Sequence, residues 1–250
     1  MTRSFQAKVM GALAAIALAF TYVACGFAVC AGIPQVTETL ARSHSAAELS
    51  PFSEDQLVQA ALATRDYTVG SHDRESLMEA IAAINDEADT PYANADAQEL
   101  ANADERYTLP PDAISHLDDV SNVVGRAFPA IMGGAVLAAF CLMCCFYLGS
   151  VRAMPRPLIW SGGAVLVVFA LLGLWAAVDF NGLFAALHSL FFADGTWTFA
   201  SDSLLICMYP EAFWVGMGGI WLAVTLILSI LSLICGFILN KSRSKTKDKE

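Results

Sequence analysis

Residues 213–239 read FWVGMGGIWLAVTLILSILSLICGFIL, an unbroken apolar run without a charged side chain. A helix of about 20 apolar residues crosses the hydrocarbon core of a bilayer, so this stretch predicts a transmembrane helix. Three further apolar runs of similar length occur at 9–31, 127–149 and 158–179. The sequence therefore predicts an all-α membrane protein with four transmembrane helices.

The composition supports a membrane protein. Of the 250 residues, 56% are hydrophobic and only 15% are charged, and the mean hydropathy is +0.55. Soluble domains carry about 25% charged residues. We therefore expect most of the chain to lie in or at a bilayer.

Acidic and basic residues are segregated along the chain. Between Gly32 and Ser121 lie 18 of the 24 acids but only four of the 14 bases. Basic residues mark the cytoplasmic side of membrane proteins, and nine of them lie in three groups: Arg3 and Lys8; Arg152 and Arg156; and the tail from Lys241 to Lys249. We predict that these groups are cytoplasmic, and no basic face is left for nucleic acid.

This orientation predicts a multi-pass membrane protein with both termini in the cytoplasm. The first run continues through Gly32, which favours an uncleaved anchor over a signal peptide, and Tyr22–Cys25 matches a lipoprotein signal only weakly. The predicted layout is a cytoplasmic amino terminus (1–8), a first span (9–31), an extracytoplasmic cap (32–126), a second span (127–149), a cytoplasmic loop (150–157), a third span (158–179), an extracytoplasmic interfacial loop or helix (180–212), a fourth span (213–239) and a basic cytoplasmic tail (240–250).

The predicted cap is polar, but its apolar residues recur at helical spacing. Ser45–Glu48 and Ser53–Gln56 both have the form of a capping box, in which side chains and backbone at a helix start satisfy each other. Leu77, Ile81 and Ile84 share one helical face, and Pro111 fits the first turn of a helix. We expect a small, mostly helical cap that cannot bury much core alone.

His116 is the first candidate catalytic residue. If its segment is helical, Asp112 and Asp119 share the face of His116, while Asp118 points elsewhere. Flanking carboxylates orient an imidazole and raise its basicity, as a general base requires. The alternative is a solvated helix face in a segment already rich in acids.

His188 lies among aromatic residues between the third and fourth spans. A predicted interfacial helix from Asn181 to Phe192 contains it, and the carboxylates of Asp202 and Glu211 lie further along the sequence. Ionisable groups at a membrane indicate a functional site by default, although an interfacial aromatic belt with one histidine is the simpler alternative.

The sequence indicates no metal or cofactor site. His116, Asp119 and His188 could supply three ligands, but no zinc motif accompanies them. The spacing of Cys141, Cys144 and Cys145 is metal-like, yet packing explains small buried thiols better. There is also no nucleotide- or phosphate-binding motif, so a metal-dependent membrane hydrolase stays a minor alternative.

Two motifs together resemble the family of lipoprotein intramolecular transacylases, bacterial proteins with four spans. They are His116-Leu-Asp-Asp119-Val120, and His188-x-x-Phe191-Phe192 followed by Trp197, Asp202 and Pro210-x-x-Phe213. The resemblance is clearest from Pro110 to Phe213. Three positions differ from the residues expected in the family's motifs: Leu187, Ser121 and Ala200.

The resemblance implies an acyltransferase that needs no metal or cofactor. It would move the sn-2 acyl chain of a diacylated lipoprotein to the α-amine of its amino-terminal cysteine, giving the lyso-form. His116 and His188, with Asp119, would be catalytic, and Asp112, Asp202 and Glu211 would support them. The residues expected to contact membrane lipids or the substrate's acyl chains are Phe184, Phe191, Phe192, Trp197 and Phe213.

A straight helix above the second span would hold His116 about 16 Å from the hydrocarbon, at 1.5 Å per residue. We therefore expect the cap to fold down, or the helix to break near Gly125 or Pro129, so that both histidines face one pocket. A non-catalytic envelope protein that binds a partner through its cap is the main alternative.

Overall fold

The computed structural model describes residues 3–149 and 153–247. Parts of the predicted cytoplasmic segments lie outside these residues, at 1–2, 150–152 and 248–250, including Arg152 and Lys249. The described residues contain no β-strand, which confirms the all-α class. A short 3-10 turn at Ala47–Leu49 accompanies the helices α1 (Arg3–Gly32), α2 (Pro34–His44), α3 (Glu54–Val69), α4 (Arg74–Glu87), α5 (Ala97–Ala101), α6 (Pro111–Gly149), α7 (Pro155–Val178), α8 (Phe180–His188), α9 (Leu204–Met208) and α10 (Glu211–Lys247).

Four of these helices, α1, α6, α7 and α10, are long and apolar enough to cross a bilayer. The chain is thus a multi-pass membrane protein. Helix α6 starts at Pro111, as predicted, and runs without interruption past Gly125 and Pro129. Of the two alternatives expected to bring the histidines together, the helix break therefore does not occur. Breaking a helix beside a membrane would leave several backbone groups without partners, whereas an internal proline removes one hydrogen bond.

The chain divides into two compact units. The first comprises the described residues of 1–29, 127–179 and 220–250. Its polar side chains bond across helices: the Tyr22 hydroxyl donates to Ser232 Oγ at 2.7 Å, and Ser232 Oγ donates to the Leu158 carbonyl at 2.9 Å. Hydrocarbon offers such groups no partner, so these bonds help to fix how the helices pair.

Small residues let the helices of the first unit approach closely. A Cβ atom at Gly162 would lie 2.5 Å from the backbone carbonyl oxygen of Ser229, whereas one at the neighbouring Gly163 would meet nothing within 4 Å. The first glycine therefore keeps α7 and α10 in contact, as small residues do between membrane helices.

The second unit comprises 30–126 and 180–219. Ser53 and Gln56 form the predicted capping box at the start of α3, and Leu77, Ile81 and Ile84 of α4 are buried as predicted. The capping box expected at Ser45 is wrong, because Ser45 ends α2 and the following 3-10 turn has no side-chain cap.

Helix α9, from the second predicted loop, completes the core of this unit. It packs on α3, burying Leu204 and Met208 completely. Just after it, the Tyr209 hydroxyl donates to the Ala61 carbonyl at 2.5 Å. The sequence did not indicate this pairing, since α9 has only five residues, too few to show a helical period.

The glycine contacts generate a stability prediction. Gly162→Ala should lower the free energy of unfolding by about 1–3 kcal/mol, because its methyl group would press on the Ser229 carbonyl. Gly163→Ala is the matched control and should be neutral or stabilising by up to about 1 kcal/mol. Thermal unfolding in detergent measures both, and equal melting temperatures would contradict the packing described.

Candidate active site

Helix α8 positions His188 as its last residue. The His188 ring nitrogen Nδ1 lies 3.0 Å from the Phe184 carbonyl oxygen, one helical turn earlier. A carbonyl only accepts, so Nδ1 carries the proton and Nε2 presents its lone pair. The helix predicted to reach Phe192 is therefore too long: after His188 the chain turns, and Gly195 adopts a φ of 82° that favours glycine.

The structure brings His116 and His188 together within the second unit. Their ring centroids are 6.5 Å apart and their planes differ by 24°, a stacked arrangement. His116 lies in the first, polar part of α6, about three turns before the apolar stretch 127–149. The pairing does not need a break in α6.

Aromatic rings surround both imidazoles. Phe192 contacts the two histidines, with centroid distances of 5.0 Å to His116 and 5.5 Å to His188. Phe184 and Trp197 lie beside His188, with centroid distances of 3.9 Å and 4.9 Å, and Phe199 lies 5.7 Å from His116. We call the six residues together the histidine–aromatic cluster: His116, His188, Phe184, Phe192, Trp197 and Phe199. Phe199 was not predicted, although it is an aromatic residue two positions after Trp197.

Burial among these rings disfavours the imidazolium forms. It lowers the pKa of His116 to about 4; the charge of His188 acts in the same direction, and Asp119 opposes it. Burial also lowers the pKa of His188, and the hydrogen bond to the Phe184 carbonyl opposes this shift. Both imidazoles are therefore neutral at pH 7 and able to accept or relay a proton.

Two polar atoms of the cluster are shielded from water and have no hydrogen-bond partner: Nδ1 of His116 and Nε1 of Trp197. A shielded polar group without a partner costs about 1–3 kcal/mol. Native proteins keep few such groups, and each of them calls for an explanation.

The predicted carboxylates are placed differently from the expectation. Asp119 is exposed and acts on His116 through its charge, while Nδ1 of His116 has no partner. Asp112 instead accepts from the backbone N–H of Ala113 at 2.9 Å, in the first turn of α6. Asp118 points away, as predicted, and accepts from the Tyr67 hydroxyl.

Asp202 and Glu211 do not support His188. Asp202 is exposed and interacts electrostatically with Arg106 and Cys207. Glu211 accepts from the Asn181 side chain at 3.2 Å, near the opposite end of α8 from His188. Proximity in sequence was misleading here, because the helix separates Asn181 from His188 by about two turns.

Two of the predicted lipid-contact residues lie apart from the histidines. Phe213 is 1% exposed and packs on Tyr209 and Trp214, so it belongs to the protein core. Phe191 is 61% exposed and its ring pairs with Phe192 at 6.3 Å. Phe184, Phe192 and Trp197 contact a catalytic candidate directly.

No group of three His, Cys, Asp or Glu side chains within 3–149 and 153–247 is arranged to hold a metal ion. His116, Asp119 and His188 therefore do not form a three-ligand site in this structure.

A family model described as lipoprotein intramolecular transacylase Lit matches residues 13–214. Among solved structures, the chain is similar to the membrane integral lipoprotein intramolecular transacylase Lit from Bacillus cereus, with 16% identity, a TM-score of 0.71, and coverage of 97% of this chain and 99% of that one. A structure of that protein with a histidine replaced by alanine gives a TM-score of 0.66 at 16% identity, covering 97% of both chains. No curated protein matches the sequence significantly.

The low pKa of His116 generates a prediction for the pH dependence of stability. The unfolded histidine takes up its proton near pH 6.5 and the folded one near pH 4. Above pH 6.5 the imidazole is neutral in both states, so its protonation does not affect the free energy of unfolding. As the pH falls from 6.5 to 4 the unfolded state binds more protons, and stability should drop by on the order of 3 kcal/mol.

His116→Asn should remove most of this pH dependence, whereas the exposed His44→Asn should not. Thermal unfolding in detergent at a series of pH values measures the effect. A His116→Asn protein that loses as much stability in acid as the wild type would contradict the burial of a neutral imidazole.

Proposed function

The chain belongs to the family of lipoprotein intramolecular transacylases, and we propose that His116 and His188 carry out its acyl transfer. It is an integral membrane acyltransferase that modifies lipoproteins. We further propose that the sn-2 acyl chain of the diacylglyceryl group moves to the α-amine of the lipoprotein's amino-terminal cysteine. The observation that carries the proposal is the pairing of the two imidazoles at 6.5 Å among aromatic rings.

The first step is deprotonation of the nucleophile. The α-amine of the substrate is largely protonated at neutral pH, so a base must remove one proton before it can attack. Nε2 of His188 is suited to this task, because Nδ1–H is held by the Phe184 carbonyl and this bond stabilises the imidazolium that forms. The proton then passes to solvent, and His188 is neutral again.

The free amine attacks the ester carbonyl carbon and forms a carbon–nitrogen bond. The carbonyl oxygen becomes negative and the nitrogen must lose a second proton, which His188 accepts. Breaking the carbon–oxygen bond then releases the glycerol oxygen, and this oxygen takes the proton from His188. His116, neutral because its pKa is about 4, donates a hydrogen bond to the negative oxygen rather than a proton.

The proposal places the substrate's acyl chains against Phe184, Phe192 and Trp197, with Phe199 beside His116. Amine and ester belong to one molecule, so holding them in contact supplies much of the acceleration, with effective molarities of about 10⁵ M or more. Asp119 acts on His116 through its charge.

The proposed orientation follows the distribution of basic residues. Arg3, Lys8, Arg156 and Lys241 flank the spans on one side, which we take as cytoplasmic. The second unit then faces the extracytoplasmic surface, with diacylated lipoproteins and membrane lipids as its partners. Neither nucleic acid nor nucleotide has a place in this reaction.

Replacement of either histidine tests the proposal. His188→Asn and His116→Asn should each lower the production of lyso-form lipoprotein by about 10²- to 10⁴-fold, the usual contribution of a general acid–base group. Mass spectrometry of lipoprotein amino-terminal peptides from cells that express each variant measures the product.

His44→Asn is the matched control, because His44 is exposed and should leave production unchanged. Detergent extraction and melting temperature establish that each variant inserts and folds. Full activity in both site variants would reject the acid–base proposal, and an unchanged acylation pattern with the wild type would favour a partner-binding role.

We also propose that the reaction needs no metal. Purified, tag-free protein should convert a synthetic diacylated lipopeptide at the same rate before and after treatment with a strong chelator, since no group of three possible ligands occurs in the described part of the chain. Loss of activity that zinc restores would instead support a metal-dependent reaction.

A further inference from the structure

The indole N–H groups of this chain have different surroundings. Trp214 Nε1 donates to the Tyr209 carbonyl at 3.0 Å, and Trp221 Nε1 donates to the Val23 carbonyl at 2.8 Å. Trp160 and Trp175 are 71% and 43% exposed. Trp197 Nε1 is shielded from water and has no partner.

Trp197 lies at the site of the proposed reaction. Its ring is 4.9 Å from that of His188 and 6.3 Å from that of Phe184, in the same cluster as the unpartnered Nδ1 of His116. Buried indoles normally find an acceptor. An ester substrate would bring a carbonyl oxygen that could accept from the Trp197 indole.

We propose that Trp197 Nε1–H donates a hydrogen bond to the carbonyl oxygen of the ester that is cleaved. This inference rests on the proposed acyl transfer and adds a catalytic residue to it. The bond strengthens as the carbonyl oxygen becomes negative, and it weakens again when the amide forms. A fixed donor that is itself shielded from water needs no reorganisation during the reaction.

The different roles of His188 and Trp197 follow from the hydrogen-bonding atoms that each has available. His188 uses Nδ1 to hold the Phe184 carbonyl, which leaves Nε2 for protons and not for donation to an oxyanion. The Trp197 indole can donate but can neither accept nor release a proton at physiological pH. It therefore serves the carbonyl oxygen and leaves proton transfer to His188.

Trp197→Phe removes the N–H group and keeps an aromatic ring. Assayed as purified protein in lipid nanodiscs with a synthetic diacylated lipopeptide, it should lose about 10²- to 10³-fold in kcat, with KM changed much less. Its melting temperature should be unchanged or raised, since no hydrogen bond within the protein is lost.

Trp221→Phe is the matched control with the opposite expectation. It leaves the Val23 carbonyl without its donor, so its melting temperature should fall while kcat of the folded protein stays within about threefold. A Trp197→Phe protein with wild-type kcat overturns the proposal, as does one whose melting temperature falls like that of Trp221→Phe. If the wild type converts no lipopeptide, the proposed function fails, and this inference with it.

Nuclear magnetic resonance of wild-type protein labelled with ¹⁵N-tryptophan tests the contact without a variant at the site. Phenylalanine substitutions at the other four tryptophans identify the Trp197 indole signal. An unreactive substrate analogue, with an amide in place of the sn-2 ester, should move this signal downfield to a hydrogen-bonded position. An unmoved Trp197 signal at saturating analogue overturns the proposal.

Discussion

A polar group shielded from water must find its partner within the protein, and this constraint governs both units. In the first unit, the Trp221 indole bonds the Val23 carbonyl. In the second, the Asn85 side chain bridges the carbonyls of Ile81 and Tyr107, and Arg65 binds the carbonyls that end α1. Among the described residues a few shielded side-chain atoms still lack a partner, and two of them, His116 Nδ1 and Trp197 Nε1, lie in the histidine–aromatic cluster. The proposed substrate would bring a carbonyl oxygen to this cluster.

The membrane part of the fold could be predicted because its signals are local. A long apolar run is sufficient for a spanning helix, since backbone groups in hydrocarbon must bond within the helix itself. The start of α6 at Pro111 and the cap at Ser53 are local as well. The packing of α9 on α3 depends on contacts between distant segments, and the five residues of α9 carry no periodic pattern that could reveal it.

The site could be predicted in part. His116 and His188 lie in the two motifs whose resemblance to the family was noted from the sequence, and the structure places their rings together. The supporting carboxylates were assigned by distance along the chain, which does not report direction in space: Glu211 contacts the start of α8, while His188 ends that helix. Phe199 was missed because an aromatic residue in an interfacial segment is expected on general grounds.

In the proposed reaction donor and acceptor arrive on one molecule, so the mechanism calls for no acyl-carrying cofactor. The most direct measurement mixes an unlabelled diacylated lipopeptide with one that carries heavy isotopes in both its peptide and its sn-2 acyl chain, and adds the purified protein. Mass spectrometry should find amide products in which heavy peptide carries only heavy acyl chain and light peptide only light. Products that combine heavy peptide with light acyl chain would contradict transfer within one molecule.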